Sequence, residues 1–178
     1  MHSPVPWSTF GGLSHCWPEF PNLRKIVCFH SVEGTIMTAP ASLVHEVSIQ
    51  APVAKVVEAL TTEAGLRGWN TAHAKGTGKV GSEWHLDYGH GISFAWKVET
   101  ATPTGVTWLC TGGPGDSIGT HAAYRLSARP DGKTLIEFSH DGWPHTAGAF
   151  RKCNTLWGAL LQHLARYVET GRPAPAHK

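Results

Sequence analysis

The chain has 178 residues, of which 41% are hydrophobic and 16% are charged, and its formal net charge is +2 at pH 7. So small a charged fraction, with Lys and Arg scattered along the chain, argues against a disordered protein and against a nucleic-acid-binding protein. The length suffices for one domain with a hydrophobic core, and no apolar run is long enough to predict a membrane span. The eight tryptophans are the unusual feature, because indole rings supply large apolar surfaces and a polar N–H.

The first 42 residues lack the apolar periodicity of a helix or strand, and they also lack the features of a secretory signal. Met37 is the only methionine after Met1. Two interpretations follow. Either the native protein starts at Met37 and the segment before it is dispensable, or residues 1–36 form an ordered arm packed on the domain. The domain itself is expected to span residues 43–175.

The cysteines follow no zinc-binding pattern, since they contain no C-x-x-C motif. We therefore interpret them as reduced thiols of a cytoplasmic protein, and we expect neither a metal nor a cofactor. The four are Cys16, Cys28, Cys110 and Cys153.

In chain order, the first predicted strand is "LVHEVSI", where apolar residues alternate from Leu43 to Ile49. Pro52 then ends the extended pattern. Apolar residues at helical spacing, interrupted by a bend, predict two short helices within residues 53–69.

Five further segments alternate with period two, which predicts an antiparallel sheet with one buried face. They read "SEWHLDY", "ISFAWKVET", "GVTWLC", "IGTHAAYRLSA" and "KTLIEFSHDGW". Trp84, Trp96 and Trp108 are spaced 12 residues apart. In an up-and-down meander this spacing predicts a row of direct cross-strand neighbours, unless a bulge shifts the register.

The last predicted element is a long amphipathic helix over "FRKCNTLWGALLQHLARYVETG", residues 150–171. Thr146 is its predicted N-cap, and Gly171 is its predicted end. Asn154 is expected at the edge of the apolar stripe, beside Trp157 and Leu161. Together the elements predict an α+β fold, in which a curved antiparallel sheet of about seven strands wraps around the last helix.

Two stretches resemble a known family. "VSIQAPVAKVVEALTTEAGLRGW" resembles the opening of the SRPBCC or START-like helix-grip superfamily, and "GWPHTAGAFRKCNTLWGALLQHLARYVETGRPAP" is similar to its bacterial branch named after the activator of heat-shock-protein-90 ATPase. The resemblance covers roughly residues 43–175 and implies a helix-grip fold with a hydrophobic cavity. Eukaryotic co-chaperones of that name carry a further N-terminal domain, which residues 1–42 are too short to form.

The leading functional hypothesis is a non-catalytic carrier or sensor that holds a small hydrophobic or aromatic molecule in a cavity between the sheet and the last helix. This ligand is the expected partner, and a homodimer is a further expectation. The residues predicted to bind it are Trp69, Trp84, Leu86, Tyr88, Phe94, Trp96, Trp108, Tyr124, Phe138, His140, Asn154, Trp157 and Leu161.

Two other hypotheses stay open at this point. One is an enzyme similar to the cyclase or hydratase members of the superfamily, with His140 as the general acid or base. The other is a protein-interaction module related to stress. The sequence argues against the enzyme, because Asp87, Glu99 and Glu137 all fall on the predicted outer face of the sheet.

Overall fold

The computed structural model describes residues 40–178. Nearly all of the predicted extension over residues 1–42 lies outside the described residues, and so do Met37, Cys16 and Cys28. The predicted start at Met37 and the interpretation of these two cysteines therefore stay predictions.

The described residues form an α+β fold in the predicted order. Two short helices follow the first strand, and the long helix comes last, as the sequence predicts. One short strand, β2, was not predicted, because three residues are too few to show an alternating pattern. The elements are β1 (Ala41–Ile49), α1 (Val53–Thr61), α2 (Glu63–Trp69), β2 (His73–Lys75), β3 (Glu83–Asp87), β4 (Ser93–Thr102), β5 (Gly105–Gly112), β6 (His121–Ala128), β7 (Thr134–Trp143) and α3 (Ala149–Thr170).

All seven strands belong to one curved antiparallel sheet with the order β1-β7-β6-β5-β4-β3-β2. The strands from β2 to β7 follow each other as a meander, and β1 pairs with β7 at one edge. Successive side chains alternate between the two faces, so the apolar positions of each strand share the face that α3 covers. This arrangement confirms the predicted helix-grip architecture.

The row of tryptophans is partly as predicted. Trp84 lies directly opposite Trp96 on the neighbouring strand. Trp96 instead faces Cys110, and Trp108 faces Val98, because β4 continues to Thr102 and turns tightly into Gly105, with irregularities further along the pairing. Trp108 therefore lies diagonally from Trp96, with 6.4 Å between their ring centroids. The predicted direct pairing of these two residues is wrong, and the position of the tight turn between Thr102 and Gly105 is the main physical reason.

Helix α3 buries the predicted apolar stripe against the sheet and ends as predicted. Gly171 follows it with a φ of 68°, and its N–H donates to the Tyr167 carbonyl at 2.8 Å. The predicted N-cap, Thr146, is wrong, because the helix begins after Gly148 and no side chain caps it. The buried residues of the helix are Cys153, Trp157, Leu160, Leu161, Leu164, Ala165 and Val168.

The chain after α3 lies along the end of α2, and we call residues 172–177 the C-terminal strap. The Ala174 N–H donates to the Gly68 carbonyl at 2.9 Å, and the His177 N–H donates to the Asn70 carbonyl at 3.2 Å. In return, the Ala72 N–H donates to the His177 carbonyl at 3.0 Å. Backbone pairing therefore continues to His177, beyond residue 175.

Within residues 40–178, no helix combines the length and the apolar character that crossing a membrane requires.

Candidate functional site

The fold brings most of the predicted binding residues into one core. Eleven of the thirteen are buried, Tyr88 is half-buried and Asn154 is exposed. The buried eleven are Trp69, Trp84, Leu86, Phe94, Trp96, Trp108, Tyr124, Phe138, His140, Trp157 and Leu161.

Aromatic rings from the sheet and from α3 interleave at the centre of this core. Phe94 and Trp96 are stacked, with centroids 5.8 Å apart and planes at 11°. Trp157 projects from α3 toward the sheet. Its ring centroid lies 4.5 Å from that of Phe138 and 6.1 Å from that of Trp96. Offset and edge-on contacts of this kind stabilise aromatic clusters beyond their buried area.

A narrow opening remains between α3 and the sheet, and we call it the central cleft. Its volume is about 10 Å³, which is room for about one water molecule. The sequence led us to expect a larger cavity, but the tilted rings fill the space between helix and sheet. The residues that line the cleft are Tyr88, Phe94, Trp96, His140, Cys153, Leu156, Trp157 and Leu160.

Five of these lining residues belong to the predicted binding set. The other three, Cys153, Leu156 and Leu160, all come from α3. They belong to the apolar stripe that the helical periodicity identified, so the signal to include them was present in the sequence.

Other members of the predicted set pack the core away from the cleft. The Trp69 indole N–H donates to the Ala59 carbonyl at 3.0 Å, which holds α2 against α1. Trp84 lies against Gly76 and Gly78, where an added Cβ would come within 2.4 Å and 2.9 Å of its ring. These contacts are structural.

Asn154 does not line the cleft, because its side chain is exposed on α3. Its position beside Trp157 along the sequence suggested the edge of the stripe. At this turn of α3 the cleft is lined by Cys153, Leu156 and Trp157, and the amide faces away from it.

His140 lies in the middle of a continuous line of hydrogen bonds. The Trp157 indole N–H donates to His140 Nδ1 at 2.8 Å, and His140 Nε2 lies 2.7 Å from the Thr120 hydroxyl. The Thr120 hydroxyl in turn donates to the Ser117 carbonyl at 2.5 Å. Because an indole nitrogen can only donate, Nδ1 is the acceptor, and Nε2 carries the proton that the Thr120 oxygen accepts.

Burial lowers the pKa of His140 from 6.5 to about 4, with Asp141 opposing the shift and His121 reinforcing it. The imidazole is therefore neutral at pH 7, and both of its nitrogens are already hydrogen-bonded within the protein. A general acid or base needs a free nitrogen directed at the substrate. In this geometry His140 orients Trp157 instead.

The thiols near the cleft are not activated. Burial raises the pKa of Cys153 to about 11, and burial also raises the pKa of Cys110. Both cysteines are free and protonated at neutral pH, so they behave as small apolar side chains.

Asn70 is a buried polar residue that the sequence reasoning missed. Its backbone is fully paired, since its N–H donates to the Leu66 carbonyl at 2.8 Å and its carbonyl accepts from His177. Its side chain is completely buried, yet neither amide atom has a hydrogen-bond partner. The sequence gives no local signal for this, because Asn after a helix is usually an exposed cap.

Wider depressions exist on the opposite face of the sheet. One of about 530 Å³ lies over β1, β7 and β6 beside Val44, and one of about 390 Å³ lies over β2 to β5 beside Lys75. Both are open to solvent and have no α3 residue in their lining. Phe138 borders the first, and Leu86 and Phe94 border the second, so three predicted binding residues adjoin this face as well. Within residues 40–178, no group of three or more His, Cys, Asp or Glu side chains is arranged to hold a metal ion.

Comparison with known proteins gives a consistent result. Residues 50–169 match the model of the family described as Activator of Hsp90 ATPase homolog 1-like protein. No protein of curated function matches the chain.

Solved structures with the same fold include the Aha1 dimer from Colwellia psychrerythraea, at 31% identity and a TM-score of 0.67, covering 74% of this chain and 98% of that one. DynU16, from the dynemicin biosynthetic locus, matches at 26% identity and a TM-score of 0.61, covering 74% of this chain and 48% of that one. CalU16 from Micromonospora echinospora matches at 21% identity and a TM-score of 0.60, covering 75% and 68%. At this last identity the likeness concerns the fold alone.

Proposed function

The chain belongs to the Activator of Hsp90 ATPase homolog 1-like family, and from this premise and the central cleft we propose that it is a non-catalytic carrier or sensor. It binds a small hydrophobic or aromatic molecule between the sheet and α3. The domain that does so comprises residues 43–175, and we propose that it acts in the cytoplasm.

One observation carries this proposal, namely the chemistry of the cleft lining. Aromatic and aliphatic side chains surround the cleft, and no Lys, Arg, Asp or Glu is among its lining residues. An apolar molecule that entered the cleft would move its surface from water onto the faces of the rings. Each Å² of apolar surface buried in this way contributes roughly 25 cal/mol of binding free energy before the costs of association.

Binding requires the cleft to widen. A drug-sized ligand occupies a pocket of about 300 Å³ or more, whereas the cleft leaves about 10 Å³. Leu156 is half-buried at the mouth, and it lies on the amino-terminal half of α3. A small outward movement of this half would separate Trp157 from Trp96 and admit a planar ring. The ligand then stabilises the open state through its higher affinity for it.

Tryptophan fluorescence and native mass spectrometry with a panel of lipids and aromatic polyketides test the proposal. We expect a ligand from the aromatic group to quench the fluorescence and to form a one-to-one complex. Leu156→Trp, which fills the mouth of the cleft, should abolish binding. Ile118→Trp is the matched control, because Ile118 is 60% exposed and lies outside the cleft. The absence of binding by every member of the panel would contradict the proposal.

The enzymatic alternative has less support. It requires His140 as an acid or base, and both nitrogens of His140 are engaged with Trp157 and Thr120. The likeness to DynU16, which comes from a biosynthetic locus, supports a biosynthetic small molecule as the ligand without requiring catalysis.

We also propose that the chain forms a homodimer. The support is its 31% identity to a protein whose solution structure is a dimer. Analytical ultracentrifugation of the full chain tests this, and a monomer across the micromolar range would refute it.

A further inference from the structure

Asn70 and Tyr124 share an uncommon condition, since each is a buried side chain whose polar atoms have no hydrogen-bond partner. Asn70 is completely buried and Tyr124 is 1% exposed. The Asn70 amide and the Tyr124 hydroxyl are both unpaired. Buried polar groups in native proteins are nearly always paired, so each unpaired group needs an explanation.

Elsewhere in residues 40–178, the buried side-chain atoms without a partner are His45 Nε2 and the indole nitrogens of Trp84, Trp108 and Trp143, and an indole nitrogen can only donate. Asn70 and Tyr124 lie next to residues that line the cleft, and they differ from the indoles because an amide and a hydroxyl can each both donate and accept. The Tyr124 ring lies 6.2 Å from that of Trp157. His45 borders the depression over β1, β7 and β6 instead. The capacity to both donate and accept next to the cleft therefore separates this pair from the rest.

Asn70 lies beside Tyr88, which also lines the cleft, and contacts from two directions hold it there. The Thr71 hydroxyl donates to the Asp87 carbonyl, which brings residues 70–71 alongside residues 87–88. The His177 ring packs edge-on against the Tyr88 ring, with 4.8 Å between their centroids. The backbone N–H of His177 donates to the Asn70 carbonyl. Asn70 is thus held rigidly, and only its side chain lacks partners.

The electrostatics agree with this placement. Burial raises the pKa of Tyr88, and the nearby Asn70 amide opposes the shift, although the two groups do not reach hydrogen-bonding geometry. Burial and the neighbouring Tyr88 raise the pKa of Tyr124. Both hydroxyls therefore stay protonated as neutral donors at any physiological pH.

We infer that Asn70 and Tyr124 form a polar subsite of the central cleft, which takes an uncharged carbonyl or hydroxyl oxygen of an otherwise apolar ligand. This inference rests on the proposed function. The amide can both donate and accept, and the tyrosine hydroxyl can do the same, so an alcohol, a phenol or a ketone satisfies them. No charged side chain is among the buried polar residues of the described chain. A carboxylate ligand would lose its water without gaining a counter-charge, so anionic ligands are excluded.

Three probes of similar size test the subsite in equilibrium dialysis with the full chain: naphthalene, 2-naphthol and 2-naphthoate. A purely apolar site would bind 2-naphthol more weakly than naphthalene, because the hydroxyl group loses its water. We expect the reverse, with 2-naphthol bound about tenfold more tightly than naphthalene and 2-naphthoate bound weakest.

Tyr124→Phe and Asn70→Leu should each remove most of the preference for 2-naphthol while changing the affinity for naphthalene less than twofold. Tyr167→Phe is the control, because Tyr167 packs against Gly68 outside the cleft lining and its loss should leave the preference intact. Thermal denaturation establishes that each variant is folded, and the conservative Tyr124→Phe decides the matter if Asn70→Leu does not fold.

The outcomes separate the two proposals. If naphthalene binds but 2-naphthol is not preferred, or if the preference survives in the folded variants, the polar subsite is wrong and the carrier function stands. Tightest binding of 2-naphthoate would also overturn the subsite. If none of the three probes binds, the carrier function fails, and the subsite fails with it.

Discussion

The two halves of α3 pack against different parts of the molecule. In residues 149–160, Cys153 and Trp157 line the central cleft, and Leu156 is half-buried at its mouth. In residues 161–170, Leu164 is completely buried, and the Glu169 carboxylate accepts from the Gln50 N–H at 2.8 Å.

The ends of the helix show the same contrast. The second half approaches α2 so closely that a Cβ on Gly68 would lie 2.3 Å from the Tyr167 ring, and the strap then follows along α2. The first half begins after Gly148 with no side-chain cap. The comparison teaches that α3 is fixed at its carboxyl-terminal end and freest where the cleft lies. Widening of the cleft should therefore involve the first half only.

The largest expected difference between the halves concerns stability. Leu164→Ala leaves a cavity in a completely buried site and should lower the free energy of unfolding by about 3 kcal/mol. Leu156→Ala, at the half-buried mouth, should lower it by only about 1 kcal/mol. Urea denaturation measures both. Equal losses of unfolding free energy in the two variants would mean that both halves of α3 are equally well packed, which would contradict the contrast drawn between them.

Acid should weaken the first half through His140, which holds Trp157. Burial depresses the pKa of His140 from 6.5 in the unfolded chain to about 4 in the folded protein. Between these values the unfolded state binds a proton that the folded state excludes, so stability falls as the pH drops from 6.5 to 4. The loss should reach about 3 kcal/mol.

Urea denaturation across this pH range measures the effect, and His140→Gln, which cannot titrate, is the control and should show a shallower dependence. Hydrogen exchange should also detect earlier opening in residues 149–160 than in residues 161–170. An identical pH dependence in wild type and His140→Gln would show that another group is responsible.

Removing the C-terminal strap should destabilise the packing of α2 beside the carboxyl-terminal end of α3. Deletion of residues 172–178 removes the backbone hydrogen bonds to Gly68, Trp69 and Asn70. Their loss, offset in part by the freedom regained by the deleted segment, should cost about 1–2 kcal/mol of stability. Thermal denaturation measures this cost, and faster hydrogen exchange in residues 68–72 should accompany it. Deletion of Lys178 alone is the control, and an equal effect from it would remove any role for the strap.

The smallest effect is expected at Asn154. Its side chain is exposed, so Asn154→Ala should change stability by less than about 0.5 kcal/mol and leave ligand affinity unchanged. A clear loss of affinity would mean that the first half of α3 rotates on binding and turns this amide into the cleft, as the sequence originally suggested.

Much of the fold follows from local patterns in the sequence. Alternation in "SEWHLDY" and "KTLIEFSHDGW", together with the helical stripe containing Trp157, predicted the strands, the last helix and their buried faces. The register of Trp108 could not be predicted, because it depends on where the hairpin between β4 and β5 turns and on how the two strands pair, which neither alternating pattern shows alone.

The site was predicted only at the level of its aromatic walls. Periodicity identified Tyr88, Phe94 and Trp96 as residues of one face, since the face of a residue is a local property. It could not show that the Trp157 and His140 rings would meet, because 17 residues separate them along the chain. Asn70 could not be predicted for the same reason, since its environment combines the end of α2, residues 87–88 and the C-terminal strap, which are distant along the chain.

The sequence by itself therefore determined the order of elements, their buried faces and the apolar character of the core, because each depends on residue type and local spacing. Only the tertiary structure decided that the interior is almost filled, that both nitrogens of His140 are engaged and that the buried amide of Asn70 lacks a partner. The physical reason is that packing and hydrogen-bond satisfaction depend on groups distant in sequence, and these meet only when the sheet closes around α3.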